Sequence, residues 1–307
     1  MTVAAPPETP RVSVLMTAYN REPFIAQSIE SVLQQTCGDF ELIVCDDASS
    51  DATVAVAERY AARDSRIRIE RNDTNVGDYP NRNRAAAAAR GRYLKFHDSD
   101  DVMYPHCLQV MVCGLEREPK AGFALSGHLA WFGGPSPMLL TPQLAYEREF
   151  LGSGLFQLGP SCALFRRELF QSLGGFPHAG VSSDYVFWFK ACARTNVLLV
   201  PGDLFYYRVH EGQQLRSDRT AFDYAKARRF AWSALNAPDC PLQGAVLEQA
   251  KRNFVFTVVR DAYRQARRGR YAAARASLAE LGFGVSDWAR YLRRPRRNAA
   301  AGTPISV

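Results

Sequence analysis

The 307-residue sequence contains no C-x-x-C pair, and its seven cysteines (Cys37, Cys45, Cys107, Cys113, Cys162, Cys192, Cys240) are odd in number and widely spaced. That pattern argues against a disulfide scaffold and a structural zinc site, and it fits a reducing compartment. No window approaches the roughly 18 to 20 uninterrupted apolar residues of a membrane span. Residues Met1 to Pro10 lack a basic n-region and an apolar h-region, so no signal peptide is expected. They read as a flexible leader. There is no G-x-G-x-x-G after the first apolar run, which argues against a dinucleotide-binding domain, and no G-x-x-x-x-G-K-[ST], which excludes a P-loop NTPase. A soluble, cytoplasmic protein is expected.

What is present is an ordinary globular composition, 47% hydrophobic and 22% charged, too rich in large apolar side chains for a disordered chain. The formal net charge is +7, which points to an anionic partner of some kind. That charge is local. Between Arg260 and Arg297 eleven arginines face three acids, a net +8, so the remainder carries −1. Ala, Leu and aromatic residues lie between these arginines. Such a stretch suits either an interfacial helix on an anionic membrane or a solvated helical face.

Along the chain, short apolar runs alternate with acidic or polar turns and amphipathic helices. The first run, Val12 to Met16, leads into Thr17-Ala18-Tyr19-Asn20, and the next helix places Ile25, Ile29, Val32 and Leu33 on one face. Phe40 to Cys45 leads into Asp46-Asp47-Ala48-Ser49-Ser50-Asp51 and a helix over about 52–63. Ile67 to Ile69 leads through Asn75-Val76-Gly77 to an Ala-rich helix near 82–89, and Tyr93 to Phe96 ends in His97-Asp98-Ser99-Asp100-Asp101. Strands alternating with helices predict βαβ units and a mainly parallel sheet, whose carboxyl-end edge binds ligands. Both dense acidic clusters fall on that edge. The pattern is less regular over 123–209, with Gly133-Gly134-Pro135 and Gly174-Gly175-Phe176-Pro177 as breaks, and it turns helical and Arg-rich beyond about Phe222.

Four segments could carry chemistry. Asp98-Ser99-Asp100-Asp101 can offer two carboxylates on one side, half of a hard-cation site that phosphate oxygens and water would complete. It can equally be a solvated turn that caps the next helix. Asp46 to Asp51 can bind a base or ribose, or cap a helix, or do both, with Asp51 as cap and Asp47 as ligand. Asp184 precedes Tyr185-Val186-Phe187-Trp188; burial beside aromatics would raise its pKa and suit a general base, although a helix N-cap is equally compatible. His210, after Tyr207-Arg208-Val209, is either structural or a ligand.

Taken in order and spacing, these blocks resemble the family 2 glycosyltransferases of the GT-A fold. The likeness runs from Val12 to Ser217. Asp46 to Asp51 resembles the family's D-D-G-S-x-D block, with Ala48 in place of Gly, and Asp98-Ser99-Asp100 resembles its D-x-D motif. Asn75-Val76-Gly77, Arg82-Asn83 and Gly91-Arg92-Tyr93 resemble the stretch leading into that motif. Gly159-Pro160-Ser161 through Phe165-Arg166-Arg167 to Gly174-Gly175-Phe176 resembles the acceptor-side segment, and Tyr207-Arg208-Val209-His210 resembles Y-R-x-H.

The resemblance implies an α/β fold with a mixed, mainly parallel sheet flanked by helices. On this reading residues 11–218 form the catalytic domain, and 219–307 form a helical, Arg-rich region with a disordered end. It implies inverting transfer of a sugar from a nucleotide-diphosphate sugar to an acceptor hydroxyl, in polysaccharide or glycolipid assembly, with a divalent cation (Mn or Mg). Thr17, Tyr19, Asn20, Asp47 and Arg82 would lie at the nucleotide. Asp98 would sit at ribose and metal, Asp100 would be the principal metal ligand, His210 a metal or diphosphate contact, and Asp184 the catalytic base. An acceptor glycan or lipid-linked glycan would be the partner, with peripheral contact to an anionic membrane through 260–297.

Two departures stand out: Ser183 occupies the place where the family usually has Glu, and His97 replaces a usual apolar residue. Two other functions compete. A sugar nucleotidyltransferase would show a Gly-rich basic loop after the first strand, which is absent here. A nucleic-acid-binding protein using the basic C-terminal region has Tyr263, Tyr271, Trp288 and Tyr291 among its arginines, yet it leaves the acidic edge unexplained.

Overall fold

The computed structural model describes residues 9–127, 136–152, 154–211 and 219–292. Most of the leader, the Gly133-Gly134-Pro135 break, Ser217, the arginines 293, 294, 296 and 297 and the chain end expected to be disordered lie outside the described residues.

The apolar runs become strands: β1 and β2 are buried along their whole length and β4 along all but its last residue, as strands covered by helices on both faces must be, whereas the outermost, β3, is only partly buried. Strands β1 (Val12–Ala18), β2 (Phe40–Asp46), β3 (Ile67–Arg71) and β4 (Tyr93–Asp98) pair in the order β3-β2-β1-β4, all parallel. Helices α1 (Glu22–Leu33), α2 (Thr53–Ala61) and α3 (Asp78–Ala87) make the crossovers. The Ala-rich helix begins four residues earlier than its composition suggests. Pro80 falls in its first turn, where no N–H has to be donated.

The irregular stretch completes the sheet. After the short β5 (Val102–Met103) and α4 (Cys107–Arg117) come β6 (Ala121–Ser126), β7 (Met138–Leu140), α5 (Pro142–Leu151), β8 (Ala163–Arg166), α6 (Arg167–Ser172), α7 (Ser183–Arg194) and β9 (Asn196–Val200). The sheet runs β3-β2-β1-β4-β8-β6-β9-β7, with β8 antiparallel to both β4 and β6. A second ladder joins β5 to β10 (Phe205–Tyr206). Four helices follow: α8 (Arg219–Leu235), α9 (Gly244–Arg267), α10 (Tyr271–Ala279) and α11 (Val285–Leu292).

Alternate residues of each strand feed two cores. Val14, Met16, Leu42 and Val44 pack against α1, α2 and α4 through Ile25, Ile29, Val56, Met111 and Leu115. Leu15, Ile43, Leu94 and Phe96 face the other way, onto α3, α5 and α7. Ala231, Leu235 and Ala250 join that second core, so α8 and α9 close the same face of the sheet. Under the start of α7 lies an aromatic cluster: Phe176 is 5.0 Å from Phe187 and 5.2 Å from Phe96, and Trp188 stacks on Phe165 at 5.6 Å. Each such pair adds about 0.5–1.5 kcal/mol beyond area burial.

The register aligns Thr17 of β1 with Cys45 of β2 and Asp98 of β4, which brings the acidic turns to one edge. The loops there are laced together. Asn20 Oδ1 accepts from Ser50 N (2.9 Å), Asp51 Oδ2 accepts from Glu22 N (3.1 Å), and Glu22 Oε2 accepts from Ala52 N (3.1 Å). To make this turn, Ala48 adopts φ 61°, the left-handed region that glycine occupies freely. An alanine there costs about 1–2 kcal/mol, while glycine loses about 0.5–1 kcal/mol more entropy on folding. Ala48→Gly should therefore stabilise the protein by roughly 0.5 kcal/mol, read as a rise in the denaturant midpoint with unchanged slope.

Candidate active site

The carboxyl ends of β1, β2 and β4 open into a cleft of about 1490 Å³, which runs past the start of α7 to α8 and α9. Thr17, Tyr19, Asn20, Asp47, Arg82, Asp98, Asp100, Asp184 and His210 all line it. Every site residue picked out in the sequence thus borders one space.

Asp47 is buried at the end of β2. Its Oδ1 accepts from Val76 N (2.9 Å) and Asn72 Nδ2 (2.7 Å), and Oδ2 accepts from Gly77 N (2.9 Å). The carboxylate therefore builds the Asn75-Val76-Gly77 turn, and one lone pair on Oδ2 remains for a ligand N–H. Gly77 makes that turn at φ 93°.

Three carboxyl groups share the end of β4 and the turn after it, and the fold moves Asp98 and Asp101 in opposite directions. Asp98 Oδ1 lies 2.6 Å from Arg82 Nη2, and Oδ2 accepts from Ser161 Oγ at 2.9 Å. Burial alone would raise this carboxyl, but the Arg82 charge and these hydrogen bonds outweigh it and hold Asp98 below the usual range. Asp100 Oδ2 meets Arg21 Nε (2.9 Å) and His210 Nε2 (3.0 Å). Burial and the nearby Asp98 push Asp101 up to about 8, so it is largely protonated at neutral pH, with Arg208 N donating to its Oδ1 at 3.0 Å. Buried Lys95 on β4 supports this arrangement by donating to the Ser161 carbonyl.

Arg82 itself is buried, paired to Asp78 at 2.8 Å as well as to Asp98, while its Nη1 has no hydrogen-bond partner. An unpaired buried guanidinium nitrogen on a cleft wall is a donor positioned for an anionic or oxygen-rich ligand.

Asp184 stands in the first turn of α7. Burial pushes its carboxyl up to about 6, against hydrogen bonds from Tyr185 N (2.7 Å) and the Tyr79 hydroxyl and the charge of Arg82. A carboxylate poised near neutrality beside a cleft is suited to general-base work.

The two departures have structural explanations. Ser183 Oγ accepts from Ala179 N (3.1 Å) and donates to Gly180 O (2.7 Å), closing the turn before α7. A carboxylate reaches the cleft from elsewhere: Glu149 of α5 accepts from the Tyr185 hydroxyl at 3.0 Å and from Leu155 N and Phe156 N. His97 turns toward α1, with Nε2 3.1 Å from Ser28 Oγ, and burial with the Lys95 charge brings its pKa down to about 3.

Arg21, Asp78, Tyr79 and Glu149 are site residues that the sequence reading did not single out. For Arg21 and Asp78 a signal existed, namely charge flanking Asn20 and Gly77. For Glu149 there was none.

Asp98 and Asp100 are hard oxygen donors of the type that magnesium or manganese takes. Among the described residues no group of three or more His, Cys, Asp or Glu is arranged to hold a metal. Asp98, Asp100 and His210 therefore do not form a ready three-ligand set: Asp98 faces Arg82, whereas His210 meets Asp100. The residues fit a cation as a partial shell that diphosphate oxygens would complete.

The model of the family described as "Glycosyl transferase family 2" matches residues 13–174, more than half of the chain. The chain belongs to this family. Among curated relatives it is 29% identical over 220 residues to the UDP-Glc:alpha-D-GlcNAc-diphosphoundecaprenol beta-1,3-glucosyltransferase WfaP of Escherichia coli, covering 66% of this chain and 78% of that protein. Other curated relatives, at 40–45% identity, are matched over only 26–39% of their own length.

Two solved structures share the fold. S. aureus TarS in complex with UDP-GlcNAc aligns with TM-score 0.61 at 23% identity, over 80% of this chain and 71% of that one. The mannosyltransferase PcManGT from Pyrobaculum calidifontis, in complex with GDP-Man and Mn2+, aligns with TM-score 0.60 at 18% identity, over 91% and 88%. The fold is the mixed, mainly parallel GT-A sheet flanked by helices.

Tyr79→Phe removes a donor to the Asp184 carboxylate without emptying the site. The Asp184 pKa should then move further above its value of about 6, as followed by a carboxyl-carbon NMR titration against the wild-type protein.

Proposed function

We propose that this family 2 protein is an inverting glycosyltransferase that moves a sugar from a nucleotide-diphosphate sugar to an acceptor hydroxyl. The observation that carries the reading is Asp184: its carboxyl is raised to about 6 and lines the same cleft as Asp98 and Asp100. Asp184 takes the proton of the acceptor hydroxyl. The acceptor oxygen bonds the anomeric carbon from the face opposite the diphosphate, and the bond to the diphosphate breaks. Thr17, Tyr19, Asn20, Asp47 and Arg82 hold the nucleotide, and the unpaired Nη1 of Arg82 donates to its oxygens. A magnesium or manganese ion on Asp98 and Asp100 would neutralise charge on the leaving diphosphate. His210 keeps Asp100 oriented through their 3.0 Å contact.

The names of WfaP and its like support a lipid-linked glycan as acceptor and polysaccharide assembly as the setting. In this reading residues 11–218 carry the catalysis, 219–307 are the Arg-rich C-terminal region appended to it, and the protein works in the cytoplasm at the inner membrane face. No helix among the described residues is long and apolar enough to cross a membrane. The exposed junction of α9 and α10 supports peripheral contact: Arg264, Arg267, Arg268 and Arg270 lie there beside Tyr263 (63% exposed) and Tyr271 (71%).

Asp184→Asn should lower turnover by about 10²–10⁴-fold while leaving donor binding intact. Wild-type activity should rise with pH through about 6, because the base works only when deprotonated. A nucleotide sugar present with Mn²⁺ at 100 times its Kd should add about 2.7 kcal/mol in a thermal-shift assay. Near wild-type turnover of the Asn variant would remove Asp184 as base. Replacing Arg267, Arg268 and Arg270 by serine should abolish co-sedimentation with phosphatidylglycerol vesicles. Unchanged sedimentation would remove the membrane contact.

A further inference from the structure

The cleft is larger than one ligand needs. Single small-molecule sites occupy about 300–1,000 Å³, whereas this one holds about 1490 Å³. Besides the carboxyl ends of the strands and the start of α7, its walls come from α8 and α9: Arg228, Asn253, Phe254, Thr257 and Asp261. All of these residues lie beyond the stretch 13–174 that matches the family model.

Arg228 is the centre of that wall. Its Nη2 pairs with Asp261 Oδ2 at 3.3 Å, and its Nη1 is buried with no hydrogen-bond partner. Leaving such a donor unpaired is costly, so a ligand oxygen that meets it gains correspondingly. The charge around it selects the kind of oxygen. Glu149, Asp184 and Asp261 line the same stretch as Arg228 and Arg260, which leaves no excess of positive charge for a phosphate. Tyr185 and Phe254 add aromatic surface beside these polar groups. A neutral, hydroxyl-rich ring matches both properties.

We propose that α8 and α9 form an acceptor subsite in which Arg228 donates through Nη1 to a neutral sugar unit of the acceptor. This rests on the glycosyltransferase reading, and it adds the substrate class that the C-terminal helices select. Asp261 acts as a positioning residue by fixing the guanidinium.

The test uses the full chain and saturation-transfer NMR with the methyl glycosides of glucose, galactose, mannose and N-acetylglucosamine, and with octyl phosphate as the anionic probe. At least one glycoside should bind the wild-type protein, and its Kd should weaken at least tenfold in Arg228→Gln. Thermal shifts by UDP- and GDP-sugars with Mn²⁺ should be unchanged in that variant, and the neighbouring exposed Arg229→Gln should behave as wild type. Should Arg228→Gln not fold, Arg228→Lys keeps the charge facing Asp261 but loses the second N–H, and the same comparison applies. Equal glycoside binding by wild type and variant, no glycoside binding at all, or binding of octyl phosphate alone overturns the subsite. Absence of any nucleotide-sugar shift in the wild type is a different result: it overturns the donor reading and takes this inference with it.

Discussion

Arg82 sits between Asp78 and Asp98, its guanidinium almost wholly withdrawn from water, and the sheet edge depends on that charge. Burial disfavours an ionised guanidinium, but two carboxylates within 2.8 Å more than restore it, and its pKa stands above the usual value. Without that charge Asp98 would share Asp101's fate, protonated by burial and by its neighbours. With it, the fold keeps one ionised carboxylate beside one neutral one, three residues apart. The same guanidinium draws the Asp184 carboxyl partly back down, so a single buried cation acts on the carboxyls of both Asp98 and Asp184.

Much of this was legible in the sequence where the signal was local. The apolar runs ending in acidic turns gave β1, β2 and β4 and the edge they share, because parallel strands buried on both faces cannot alternate polar and apolar residues. Asp47, Asp98 and Asp100 reach one cleft by the same rule, since they end the parallel strands on either side of β1; Arg82 on α3, Asp184 on α7 and His210 after β10 reach it by other routes, and the family resemblance pointed to their roles. What stayed hidden was long-range. Glu149 reaches Tyr185 across 36 residues of chain, and no spacing encodes that contact. The antiparallel insertion of β8 was invisible because four residues, Ala163–Arg166, are too few to show a period. Ala48 was recognised as a departure, but the reason glycine is suited to that position, a positive φ, is a property of the backbone.

The C-terminal helices show the same limit from another side. Their arginines suggested a basic surface, and the α9–α10 junction is one. Arg228, by contrast, is turned inward by packing that buries Ala227 and Ala231 beside it, and Arg260 also borders the cleft. Charge counting along a helix cannot distinguish a residue that faces open solvent from one that lines a cleft.

The pairing of β8 with β4 has a mechanical consequence. Ser161, which holds Asp98, lies just before β8, and Phe176 under the start of α7 packs on Phe96 of β4 at 5.2 Å, so both rest on the β4–β8 pair. The Asp98 carboxylate and the start of α7, which carries Asp184, are therefore both anchored on neighbouring strands of one sheet. Heat or denaturant should dissolve both at once, in a single cooperative transition, and neither half would survive as a separately folded fragment.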